Sequence, residues 1–211
     1  MKTIRPQQVI QYIIGNFIIT LGAILMIRSA FGPAPFDLVF LHLKLTTPLT
    51  MGLATFMIQG VIILFVSFMR KSARYLGSFA ALVVGGVAID FWDLLVFADF
   101  LPSNFIVRIL IYAGGLYFLT LGLAITATTN LATVSFDELM YLIMDWFHTK
   151  NVVIVRLSIE FSGILLGILI SGLGGLGLGE ATLASVVIAI VLPSLLQQQL
   201  KILKRFGFTR V

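Results

Sequence analysis

Long apolar stretches with almost no charge recur along the chain, at about 9–27, 51–69, 76–97, 109–128, 152–173 and 181–196. Each approaches or exceeds the roughly 20 residues that a helix needs to cross the hydrocarbon core of a bilayer. Two shorter apolar segments fall well below that length. Segment 36–45 lies between Pro35 and Pro48, and segment 136–147 is interrupted by Asp137, Glu138 and Asp145. Each supplies well under the required length, so these two segments predict half-helices that re-enter the membrane or lie at its interface. The expected fold is all-α: a polytopic bundle of six transmembrane spans plus two half-helices.

Composition agrees with this pattern. Of 211 residues, 59% are hydrophobic and 11% charged, and the mean hydropathy is +1.09. A soluble domain carries roughly 25% charged residues, so that class is excluded. Without cysteine there is no disulfide, thiolate metal site or cysteine nucleophile, and His42 and His148 are too few for a histidine-rich metal site. No metal and no cofactor is expected. A basic leader before an apolar run imitates a signal peptide, but cleavage after Ala30 would place Arg28 where a small residue is required. The first stretch therefore reads as an uncleaved helix.

The net charge of +5 follows membrane topology rather than a nucleic-acid surface. Lys2 and Arg5, then Arg70, Lys71 and Arg74, then Lys201, Lys204, Arg205 and Arg210 all fall on one side if six spans cross. Asp93, Asp99 and the chargeless SGLGGLGLG fall on the other. Basic loops stay cytoplasmic, so both termini are expected there, in a multi-pass protein of the plasma membrane whose partner is the lipid bilayer. The sequence leaves a homo-oligomer open.

The most specific signal is internal. Residues 15–37, GNFIITLGAILMIRSAFGPAPFD, align without a gap on 115–137, GLYFLTLGLAITATTNLATVSFD. The constant offset pairs Gly15 with Gly115, Thr20-Leu21-Gly22 with Thr120-Leu121-Gly122, and Phe36-Asp37 with Phe136-Asp137. With a shift of a residue or two, Gln59 falls opposite Glu160, and Leu76-Gly77 opposite Leu178-Gly179. The expected division is one three-span repeat over 1–100 and a second over 101–211. An odd number of crossings per repeat inverts the second copy, and the loop charges fit that inversion.

GPAPFD after a glycine-bearing helix, its echo ATVSFD, and the glycine-led last helix of each half resemble the YitT/YczE family of bacterial integral membrane proteins. The usual second-half pattern of that family has glycine near Ala132 and proline near Ser135, where this chain departs. The resemblance implies a multi-span, transporter-like protein.

Inverted repeats with broken helices place ligand sites near the midplane, where half-helix ends meet. Asp37 and Asp137 would stand in the first turns of the half-helices, as helix caps or ligand contacts, roles that are compatible. Glu160 lies midway along the fifth span, where an unpartnered carboxylate costs at least ~2.5 kcal/mol. It could exchange a proton as the site alternates, or be neutralised by Arg156 one turn earlier. Gln59 is expected to approach it across the repeat axis. Arg28 is expected to snorkel to the interface, with contact to an anionic solute as the alternative. Asp90 and Asp93 suggest a solvated vestibule, or a pairing with Arg108. Thr128, Thr129 and Asn130 form a polar break that lines a cavity or ends a helix, and Glu180 is a helix-dipole residue. The glycines at 15, 22, 85, 86, 114, 115, 122, 163 and 167 provide small faces for close helix contact. GGLGLG follows no strand and makes a poor nucleotide loop.

The favoured function is a secondary transporter or exporter of a small solute, with a site built from Asp37, Gln59, Asp137 and Glu160. The alternatives are a substrate-binding membrane subunit of an ATP-driven transporter and a non-transporting accessory or regulatory membrane protein. An enzyme is not expected: there is no HExxH metal motif and no nucleophile elbow.

Overall fold

The computed structural model describes residues 6–72, 75, 78–129, 135–173 and 181–205. Helices follow one another in the order α1 (Pro6–Arg28), α2 (Pro35–Thr46), α3 (Met51–Met69), α4 (Ser78–Asp90), α5 (Phe105–Thr128), α6 (Ser135–Trp146), α7 (Val152–Leu173) and α8 (Ala181–Arg205). A π-helical segment, Phe91–Val96, prolongs α4. No strand occurs among the described residues. Five helices are long and apolar enough to cross a membrane: Pro6–Arg28, Met51–Met69, Ser78–Val96, Phe105–Thr128 and Ile154–Gly172. Large apolar side chains such as Val61, Phe68, Leu95 and Leu165 point outward from the bundle, as lipid as solvent requires. The chain is an all-α integral membrane protein.

Local chemistry sets the helix ends. Pro35 opens α2, where its fixed φ suits a first helical position and its missing N–H costs nothing. Thr47 closes α2 by donating its hydroxyl to Leu43 O at 2.6 Å. Thr50 caps α3 by accepting from Leu53 N at 3.1 Å, and Asn104 caps α5 through Ile106 N at 2.9 Å. The two short helices, 12 residues each, fall at the two segments too short to span.

Antiparallel packing of α1 on α5 forms the central seam. Gln8 donates to Thr129 O, Gly15 faces Gly122, Gly22 faces Gly115, and Arg108 donates to Ser29 O. A Cβ on Gly115 would lie 2.8 Å from Gly22 O, and one on Gly122 would lie 2.7 Å from Gly15 O. Only glycine permits backbones to approach this closely. Thr20 and Thr120 are both buried on this seam, and each hydroxyl donates back into its own helix.

The short helices cross over: α2 packs chiefly on α7, and α6 on α3, while α1 packs on α4 and α5 on α8. On α7, Gly163 admits the ring of Phe36 and Gly167 admits Leu38. Two of the expected small faces make no close helix contact. Nothing lies within 4 Å of a Cβ on Gly114, and only Asn16 Oδ1, at 3.9 Å, meets one on Gly85. Phe40, Ile24, Met51, Ala54 and Ile159 form the main buried core around the crossing.

Candidate functional site

At the first turns of α2 and α6, Phe36 and Phe136 lie ring against ring, with centroids 3.9 Å apart and planes tilted by 33°. The repeated Phe-Asp pair thus brings the N-terminal ends of both short helices to one place inside the bundle. Beside them is a cavity of about 190 Å³. Asn16 and Thr20 of α1, Asp37 of α2, Thr55 and Gln59 of α3 contribute polar groups to its wall. Tyr12 of α1, Ser78 of α4, Ser135 of α6 and Arg156 and Glu160 of α7 add to them, while Phe40, Leu119 and Ile188 supply apolar surface.

Arg156 organises the charges. Its Nε donates to Glu160 Oε1 at 3.0 Å, and its Nη1 makes a short ion pair with Asp137 Oδ1. The first of these is the one-turn pair anticipated from spacing; the second comes from packing α6 against α7. Gln59 and Glu160 line the same cavity without bonding each other: Gln59 Oε1 accepts from Ser135 Oγ at 2.8 Å, which satisfies it locally. Asp37 differs from all of these. It accepts no hydrogen bond and forms no ion pair among the described residues, and the charge it senses is that of Glu160, of the same sign. The helix cap expected of it is absent, because Ala34 occupies the N-cap position and Asp37 lies farther into the first turn.

A second polar network closes one end of the bundle and corrects two expectations. Arg28 does not snorkel: its Nη2 donates to Asp93 Oδ1 at 2.8 Å and to Asp93 O at 2.9 Å. Lys44 donates to Asp93 Oδ2 at 2.6 Å. Asp93 is buried rather than part of a solvated vestibule, because the π-helical turn directs it between two cations. Such turns recur at functional positions. Asp90 accepts from Thr50 Oγ1 at 2.7 Å and Gly52 N at 2.8 Å. Neither aspartate pairs with Arg108, which instead binds Ser29 O and Ala30 O and lies 4.7 Å over the Phe31 ring. At the opposite end the exposed Arg70–Asp145 pair, at 2.6 Å, links α3 to α6. Tyr12, Ser78 and Arg156, near the starts of their helices, line the part of the cavity toward this second end.

Thr128 and Thr129 return their hydroxyls to Ile125 O and Thr126 O, so they finish α5 rather than line the cavity. Asn130, Glu180, Arg74 and Gly174 lie outside the described residues. Sequence reasoning passed over Asn16, Thr20, Thr55, Ser135 and Lys44. Thr55 and Ser135 had a signal, since Thr55 stands opposite Arg156 in the repeat and Ser135 opposite Pro35. Lys44 had none, because its partner is remote in sequence. His42, set aside as a metal ligand, hydrogen-bonds Gly167 O through Nδ1 at 2.7 Å and so ties α2 to α7.

The fold defines an integral membrane protein with several apolar helices around a largely apolar cavity. A match over residues 6–192 places the chain in DUF6198, a family of unknown function; the chain belongs to that family. It is similar to the uncharacterized protein YyaS of Bacillus subtilis (strain 168), with 28% identity over 167 residues, 79% of this chain and 82% of that protein. No solved structure matches.

Proposed function

We propose that the protein is a secondary transporter or exporter of a small solute, built from inverted halves over 1–100 and 101–211 with its solute site in the central cavity. The observation that carries this reading is the cavity, largely apolar but with Asp37, Gln59, Arg156 and Glu160 among its lining, where the starts of two broken-helix segments meet. That is the arrangement by which inverted-repeat transporters build midplane sites. The resemblance to the YitT/YczE family points the same way.

The seam supports the inversion. Gly15 opposes Gly122 while Gly22 opposes Gly115, the reciprocal exchange that a twofold axis produces. Since α1 and α5 run antiparallel, that axis runs across the helices, in the membrane plane. In this reading α8 is the sixth span, the Arg70 end is cytoplasmic, and the Asp93 network closes the outer end. The cavity then lies on the cytoplasmic side of a closed outer gate, and rocking about the glycine seam would exchange its access. An accessory role is favoured only by the mutual satisfaction of Arg156, Asp137 and Glu160, and it gives the cavity no purpose.

Two labelling experiments in this cysteine-free chain test the proposal without knowledge of the solute. Lys71→Cys and Ser103→Cys should react with an impermeant thiol reagent from opposite faces of the membrane; reaction from the same face would refute the inverted topology. Thr55→Cys, inside the cavity, should react from either face as access alternates. Reaction from one face alone, or from neither, would remove the transporter reading.

A further inference from the structure

We infer that the cavity binds a small organic monocation, recognised by Asp37 and by aromatic faces. This names the solute class of the site proposed above and rests on that reading. Three observations carry it. First, Asp37 is part-buried and lines the cavity; among the described residues no donor or cation meets its carboxylate. An ionised carboxylate in such a place is stabilised by a counter-charge, and a bound cation would supply one in place of a proton.

Second, the one guanidinium that lines the cavity among the described residues, that of Arg156, is already engaged by Glu160 and by Asp137, which lies outside the lining, so it does not serve Asp37. An unengaged carboxylate on the wall matches a cation and argues against the anionic solutes that bare half-helix ends attract.

Third, the wall suits an organic cation better than a hydrated metal ion. Phe36, Phe136, Phe40 and Tyr12 all line the cavity, and the faces of aromatic rings attract ammonium groups after desolvation. The volume of about 190 Å³ exceeds the ~150 Å³ of an engineered cavity that accepts benzene. It therefore has room for an ion the size of choline.

The test is equilibrium binding of choline and tetramethylammonium to the purified full chain in detergent, by calorimetry. Controls are 3,3-dimethylbutanol, which has the shape of choline without its charge, and acetate. Both cations should bind at least about tenfold more tightly than either control, since one buried charge pair is worth more than the ~1.4 kcal/mol that a tenfold ratio represents. Asp37→Asn, which keeps the side-chain size, should weaken cation binding at least as much. Equal binding of choline and its neutral analogue, a preference for acetate, unchanged affinity in Asp37→Asn, or no cation binding would each overturn the inference. If Asp37→Asn does not fold, the ratio of choline to its neutral analogue in the unaltered protein decides. These outcomes are separable from failure of the transporter reading, because two-sided reactivity of Thr55→Cys does not depend on which solute binds.

Discussion

Gly22→Leu is expected to abolish the folded protein or to cost about 3 kcal/mol or more, the upper end of what overpacking inflicts. A Cβ at this position would lie 2.5 Å from Gly115 O and 2.8 Å from Leu119 Cα. These obstacles are backbone, so no rotamer change relieves them, and α1 must separate from α5. A domain with only about 5–15 kcal/mol of total stability tolerates little of this. Gly114→Ala supplies the control, since nothing stands within 4 Å of its new methyl group. Alanine outranks glycine in a helix by roughly 0.5–1 kcal/mol, so the thermal unfolding temperature of that variant in detergent should hold or rise. Wild-type stability in Gly22→Leu would contradict the seam.

Arg156→Ala is expected to cost at most about 3–5 kcal/mol, the penalty for breaking a buried pair, reduced by the exposure that its two carboxylates keep, 34% for the Asp137 side chain and 14% for that of Glu160. The Arg156 side chain keeps 30% of its surface exposed, toward the cavity, which moves the expectation to the lower end of that range. The diagnostic result is the recovery. Combining Arg156→Ala with Glu160→Gln and Asp137→Asn should restore most of the loss, because the burden lies in the orphaned charges rather than in missing packing. Glu160→Gln alone should be milder, since Arg156 keeps Asp137. A cost below about 1 kcal/mol for Arg156→Ala would mark the cluster as solvated, like a surface ion pair.

In the transporter reading, the glycine seam is where two halves pivot and the charge cluster beside the cavity is what a bound solute meets. Asp37, with no partner among the described residues, shifts attention away from Glu160. The sequence marks Glu160 as the costly charge of the fifth span. In the fold Arg156 meets that cost, whereas Asp37, which reads as a cap, has no donor among the described residues.

What the sequence by itself determined was the membrane class, the helices and the pairs Phe36-Asp37 and Phe136-Asp137 as a repeated feature. Apolar runs of bilayer length admit no other solvent, and prolines and acidic interruptions limit where a helix can continue. The one-turn spacing of Arg156 and Glu160 was also legible, because helical geometry makes near neighbours of residues four apart. Only the tertiary structure decided which remote charges met. Asp93 finds Arg28 and Lys44 instead of Arg108 because a π-helical turn rotates it inward and α2 brings Lys44 beside it. Asp137 finds Arg156 because α6 packs on α7, and Asp37 is left facing a cavity because the corresponding α3 position is Thr55, which carries no charge. Partners of that kind depend on how helices far apart in sequence cross, and no local period of the chain encodes a crossing.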